Sequence, residues 1–212
     1  MILYGSSLSP YVRKTLAFAA EKGIEVELVQ AGMGQGPPEF KEASPFGKMP
    51  GFKDGDFLIS DSTAIITYLD AIKPGPNLIP MDPKTRARTI WYEEYGDTIV
   101  AACGGKIFFN RVVSPRFFKR EGDLAAADEA QKTEFPKLVG YLEQVLPASG
   151  YLVEDRFTLA DIAVVSPLVT MSLASCSVDE SAHPRAAAYV AKICARRSFA
   201  KLIAEEKAQL AA

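Results

Sequence analysis

The chain has 212 residues, 48% of them apolar and 24% charged, with 24 basic against 26 acidic side chains and a formal charge of −2. That length suits one large or two small domains and buries a core without disulfide or metal staples. The near-neutral balance lacks the basic excess of a generic nucleic-acid binder, and no run of uncharged apolar residues is long enough to predict a membrane-spanning helix. The opening MILYGSSLSP has no charged leader and predicts no secretory signal. Cys103, Cys176 and Cys194 are scattered, with no CxxC pair, and His183 is the single histidine. A disulfide framework, a Cys/His zinc site and a histidine-based triad are therefore not expected. These features predict a cytoplasmic protein that holds no metal.

The first third alternates strand and helix signals. Residues 2–4 read as a short apolar strand. Residues 12–22 place Val12, Leu16, Ala19 and Ala20 on one helical face and stop at Gly23. The alternation over 24–29 predicts a half-buried strand, and the Gly- and Pro-rich run 32–38 a loop. Residues 49–52 and 57–59, on either side of the Asp54-Gly55 turn, read as a hairpin, and 61–72 as a helix. The prolines from Pro74 to Pro83 then forbid a continuous helix. Beyond them helices are predicted over 84–113, 124–146, 159–173, 186–195 and 199–210, with the strongly apolar 159–173 as the buried one. The expected layout is α/β followed by all-α: one domain over 1–75, a linker over 76–84 and a helical domain over 85–212.

Three short segments can carry chemistry. Ser9-Pro10 suits a helix start, where the serine can cap a free backbone N–H. The same hydroxyl, beside the positive end of a helix dipole, can instead donate to an anion and hold a thiol of ordinary pKa near 8.5 as thiolate. Met49-Pro50 is a candidate cis bond whose neighbouring backbone could pair with an extended peptide ligand, or simply an edge-strand proline. Asp61-Ser62 opens a helix. It either caps that helix or reads an α-amino-acid head group, Ser62 and free N–H groups taking the carboxylate and Asp61 the ammonium.

Taken together, LYGSSLSP, SPFGKMP, LISDSTAIITYLD, the linker PGPNLIPMDPKTRAR and the helix start FTLADIAV resemble the cytosolic glutathione transferases in order and spacing, over the whole chain. The resemblance is to the serine-type, phi-, tau- and theta-like classes. It implies a thioredoxin-like first domain that binds glutathione as co-substrate and a helical second domain that supplies most of the second-substrate pocket. By position, Ser9 matches the thiolate-stabilising serine, with Ser6 or Ser7 as alternatives if the register slips; Tyr4 falls too early to act as a tyrosine donor. Met49 and Pro50 match the cis-proline pair that holds the cysteinyl part of glutathione. Asp61 and Ser62 match the acidic-Ser pair at the γ-glutamyl end, with Asp in place of the commoner Glu or Gln. Lys48 matches a position near the glycyl carboxylate, and Gln35 falls where many relatives carry a basic residue.

Thr158-x-x-Asp161 has the shape of a capping box, a folding element in that family. Tyr95, Ile99 and Cys103 recur at helical spacing; that face is either core or, with Leu8 and Tyr11, the wall of the second-substrate pocket. His183, next to Pro184, reads as a helix-start residue. The implied reaction is attack of the glutathione thiolate on an electrophilic, largely apolar small molecule, in a homodimer. The alternatives are lyase, dehalogenase or isomerase chemistry with the same thiolate, or a non-catalytic binding or regulatory protein on the same fold.

Overall fold

The computed structural model describes residues 1–211. They form two compact units: Met1–Ile79 with the chain from Arg197 on, and Pro80–Arg196.

The first unit is built on a four-stranded sheet in the order β2-β1-β3-β4, from β1 (Ile2–Gly5), β2 (Glu27–Gln30), β3 (Gly51–Asp54) and β4 (Phe57–Ser60). β1 runs parallel to β2 and antiparallel to β3, and β3 and β4 are an antiparallel hairpin. This is the expected thioredoxin-like plan. Helix α1 (Pro10–Lys22) begins with proline at its first position and ends on Gly23, whose left-handed φ of 63° needs no Cβ. The Gly23 and Ile24 N–H groups close the cap on the carbonyls of Ala20 and Ala19, at 3.0 and 2.9 Å. Ile24 is thus spent on the cap, and the second strand starts later than its alternating pattern predicts. A short helix, α2 (Pro38–Ala43), follows the glycine-rich loop and was not expected. Helix α3 (Ser62–Ile72) completes the βαβ-α-ββα order. Leu3 and Phe52 from the sheet, Val12 and Phe18 from α1, and Ile65, Ile66 and Leu69 from α3 form the core.

The last helix, α11 (Arg197–Ala211), also belongs to this unit. Its placement corrects the expected boundary, which put everything from 85 to 212 in the helical domain. Its contacts with α1 include a polar one, Arg13 to Glu206, and it also buries Phe199 completely.

In the second unit, α4 (Pro83–Glu94) passes through a π-helical turn (Tyr95–Val100) into α5 (Ala101–Phe108). A second π-turn (Phe109–Val113) leads on to α6 (Ser114–Phe117). A further broken helix joins α7 (Leu124–Glu129) to α8 (Phe135–Val145). At the centre lies α9 (Leu159–Leu173), with the bounds read from the sequence, and then α10 (Pro184–Cys194), which starts behind His183 as expected. Every residue from 159 to 171 is buried, as an almost wholly apolar helix demands. Pro167 has no N–H for the Ala163 carbonyl, and the bare Cα of Gly96 packs against that oxygen.

The capping box is present. The Thr158 N–H donates to Asp161 Oδ2 at 2.9 Å, and the Leu152 N–H donates to Oδ1 at 3.0 Å. Burial pushes the Asp161 carboxyl up to about 6 against the pull of these donors. Among the described residues, no helix is long and apolar enough to cross a membrane.

Candidate active site

Strand register decides which loops meet. Gly5 lies opposite Gln30, Tyr4 opposite Gly51, and Gly51 opposite Ser60. The segments that follow Gly5, Gln30 and Ser60, and the one that precedes Gly51, therefore leave from the same end of the sheet. Those four segments carry Ser9, Gln35, Asp61-Ser62 and Lys48-Met49-Pro50. Residues spread from 9 to 62 in the sequence share one rim.

Ser9 sits at the start of α1 in extended conformation, φ −73° and ψ 128°, and its side chain makes no capping hydrogen bond. Its backbone is well fixed: its N–H donates to the Ser6 carbonyl at 2.9 Å, and its carbonyl accepts from the Arg13 N–H at 2.9 Å. The half-exposed hydroxyl thus stands at the positive end of a helix dipole without serving as the cap. Ser7, by contrast, is buried, and so is Tyr4, whose hydroxyl is pushed up by burial and whose ring packs toward Phe40.

The Met49-Pro50 bond is cis. Gly32 on the neighbouring loop holds a φ of +115°, and its missing Cβ leaves the space that the Met49 thioether fills. Gly32 and Gln35 also exchange backbone hydrogen bonds of 2.8 and 3.0 Å, which closes the loop that presents Gln35. The Lys48 carbonyl accepts from the Ser44 hydroxyl at 2.7 Å, and the side chains of Gln35 and Lys48 are exposed.

Asp61 caps α3. Its Oδ1 accepts from the N–H groups of Thr63 at 2.8 Å and Ala64 at 3.2 Å. It does so from φ 78° and ψ 128°, a backbone conformation L residues rarely adopt and one that costs about 1–3 kcal/mol. Ser62, next in sequence, is buried at the first turn.

The second-substrate residues do not form the single helical face their spacing predicts. Tyr95 and Cys103 lie inside the second unit, while Ile99 is 52% exposed. The wider π-turn over Tyr95–Val100 breaks the α-helical count between them. Cys103 faces the Ala130 carbonyl, and burial pushes its thiol up to about 11. In the first unit Leu8 is buried and Tyr11 half-exposed.

The second unit also carries an open recess of about 490 Å³ that the sequence did not reveal, lined by Arg88, Trp91, Tyr92, Tyr141 and Val145 among others. Trp91 stacks on Tyr95 there, with ring centres 5.7 Å apart. Its residues come from α4, α8 and the loop after α8, so no single run of sequence could have announced it.

Comparison with known proteins agrees with this architecture. Residues 3–77 match the family model described as glutathione S-transferase, N-terminal domain, and residues 102–197 match glutathione S-transferase, C-terminal domain. A glutathione S-transferase of Hyoscyamus muticus is 30% identical over 209 residues, covering 96% of this chain and 97% of the relative. Glutathione S-transferase F7 of Arabidopsis thaliana is 28% identical, covering 95% and 98%. The crystal structure of glutathione transferase F7 from Populus trichocarpa superposes with a TM-score of 0.83 at 25% identity, covering 97% of this chain and 98% of that one. The fold is that of the two-domain glutathione transferases. The chain belongs to the glutathione S-transferase family, and it is a transferase.

Proposed function

We propose that this chain conjugates glutathione to electrophilic, largely apolar small molecules, with the Ser9 hydroxyl donating to the glutathione sulfur and keeping it as thiolate. The observation that carries the reading is Ser9 itself, a serine at a helix start whose hydroxyl does not cap the helix. Lowering the thiol pKa is the whole activation, so no protein base is required. The tripeptide lies extended along the rim. The backbone of Met49, before Pro50, pairs with the cysteinyl residue in the manner of an added strand. Ser62 and the first turn of α3 take the γ-glutamyl carboxylate, and Asp61 takes its ammonium. Lys48 and Gln35 face the glycyl end. The strained backbone of Asp61 supports a binding role for that turn.

Of the residues expected at the second-substrate pocket, Tyr11 in the first unit and Ile99 in the second each keep exposed surface, whereas Leu8, Tyr95 and Cys103 are buried within their own units. The reaction needs no metal. A homodimer is part of this reading, and sedimentation at micromolar concentration tests it. The three cysteines, all free thiols, suit a reducing cytoplasm, and removal of electrophilic toxicants is the role such chemistry serves.

Replacement Ser9→Ala tests the assignment. The pH midpoint of kcat/KM is expected to rise by about one unit or more, with turnover about a hundredfold lower, as for loss of one donor to a developing anion. An unchanged midpoint would exclude Ser9 as the donor and leave Ser6 or Ser7.

A further inference from the structure

Helix α1 carries Ser9 at one end and is gripped along its length by the last helix of the chain. Arg13 Nε donates to both Glu206 oxygens at 2.9 and 3.1 Å, and its Nη2 donates to Oε2 at 2.8 Å. Both side chains are fully buried, 0% exposed. Further along α1, Glu21 Oε1 accepts from the Ser198 hydroxyl at 2.6 Å. Moving from 13 to 21 on α1 thus corresponds to moving from 206 back to 198 on α11, so the two helices run antiparallel in fixed register. At the far end of α1, the Lys22 ammonium donates to the carbonyls of Lys73 at 2.8 Å and Pro74 at 3.1 Å, just past α3.

Stability alone does not account for an ion pair in that position. Removing two charges from water is expensive, and a well-packed apolar pair of similar volume is often equally or more stable. Burial pushes the Glu206 carboxyl up even with the Arg13 guanidinium opposing it. What the pair adds is direction. Apolar contacts tolerate a small slide or rotation of one helix on another, whereas a guanidinium fork on a carboxylate fixes both. The backbone N–H of the same Arg13 donates to the Ser9 carbonyl at 2.9 Å, in the first hydrogen bond of the helix. Glu206, Arg13 and Ser9 therefore form one continuous chain of bonds from the C-terminal helix to the sulfur's donor.

We propose that Arg13 and Glu206 are positioning residues for the transferase reaction: their ion pair sets the rotation and axial register of α1, and so the point at which the Ser9 hydroxyl meets the glutathione sulfur. This inference rests on the assignment of Ser9 as donor. It gives the C-terminal helix, which contributes none of the proposed binding residues, a direct hand in the chemistry.

The test is the double variant Arg13→Met/Glu206→Leu of the full chain, measured beside Ser9→Ala. Its urea midpoint is expected at or above that of the parent and its KM for glutathione within about twofold, while kcat falls by about tenfold, as for a small misplacement of a reacting group. The pH midpoint of kcat/KM, and the ultraviolet signal of the bound thiolate followed against pH, are expected to rise together by about half a unit or more. A folded double variant with the parental midpoint overturns the inference. Should the double variant not fold, Arg13→Lys, which keeps the charge but not the fork, is expected to raise the midpoint by a smaller amount, and a parental midpoint there overturns the inference equally. If Ser9→Ala shifts the midpoint and the ion-pair variants do not, only this inference fails. If Ser9→Ala does not shift it, the donor assignment itself fails.

Discussion

Two helices of this protein are buried by opposite means. In α1, the buried side chains include Arg13, Lys14 and Lys22, and the charged heads of Arg13 and Lys22 end on specific oxygens of α11 and of the segment after α3. In α9, the buried run is almost all apolar, and Asp161 is its one ionisable group. Packing holds α9 wherever its volume fits, while directed bonds hold α1 in one orientation. The proposed thiolate donor, Ser9, stands at the start of the helix whose orientation is specified. A transferase that works by placing one hydroxyl against one sulfur needs angular definition in that helix and only bulk in the other.

Removing one member of the α1 pair breaks the contrast most severely. Glu206→Ala leaves the Arg13 guanidinium buried without its carboxylate, and urea denaturation should show a loss of about 3–5 kcal/mol. A loss well under 1 kcal/mol would mean that water or another group reaches Arg13, and that α1 is not held as described. On the α9 side the equivalent stress is steric. A Cβ on Gly96 would stand 2.6 Å from the Ala163 oxygen and 2.8 Å from its carbonyl carbon. Those are backbone atoms of a fully buried helix and cannot step aside. Gly96→Ala should therefore cost about 3 kcal/mol, the upper range for overpacking, with no change in the pH profile of the remaining activity. The two variants separate stability from chemistry: the first reaches Ser9 through α1, and the second does not.

Local signals in the sequence predicted local structure well. Ser9-Pro10 and Gly23 bound α1, the Asp54-Gly55 turn joins the hairpin, and the apolar run 159–173 became α9 to the residue. Met49-Pro50 and Asp61-Ser62 could be singled out because proline and capping residues carry their geometry with them. Tyr95, Ile99 and Cys103 misled because a helical count presumes an unbroken α-helix, and a π-turn leaves no mark in composition. The contact between Arg13 and Glu206 spans 193 positions, and neither neighbourhood differs from an ordinary solvated helix face. That also explains why α11 was expected in the helical domain. A buried charge and an exposed one look alike in a sequence until the partner is located.

Asp161 refines the comparison, since it is the one place where α9 depends on direction rather than bulk. Its carboxylate accepts from two backbone N–H groups, those of Leu152 and Thr158, and so ties the preceding loop to the first turn. Asparagine would keep one acceptor oxygen and turn an NH₂ toward the other N–H, leaving a buried donor unpaired. Asp161→Asn should accordingly cost about 2 kcal/mol at pH 7. The pH dependence has a definite sign. Burial raises the carboxyl to about 6 in the folded protein, above an unfolded value of about 3.9, so the folded state holds this proton more tightly. Its contribution to stability is full below about pH 4 and is lost as the pH rises through 6. Urea midpoints measured from pH 4 to pH 7 should then fall less steeply in Asp161→Asn than in the parent. Parallel curves would show that the two N–H donors outweigh desolvation and that the carboxylate is already ionised at pH 4. In that case α9 would be anchored at its first turn by the same kind of paired charge that orients α1.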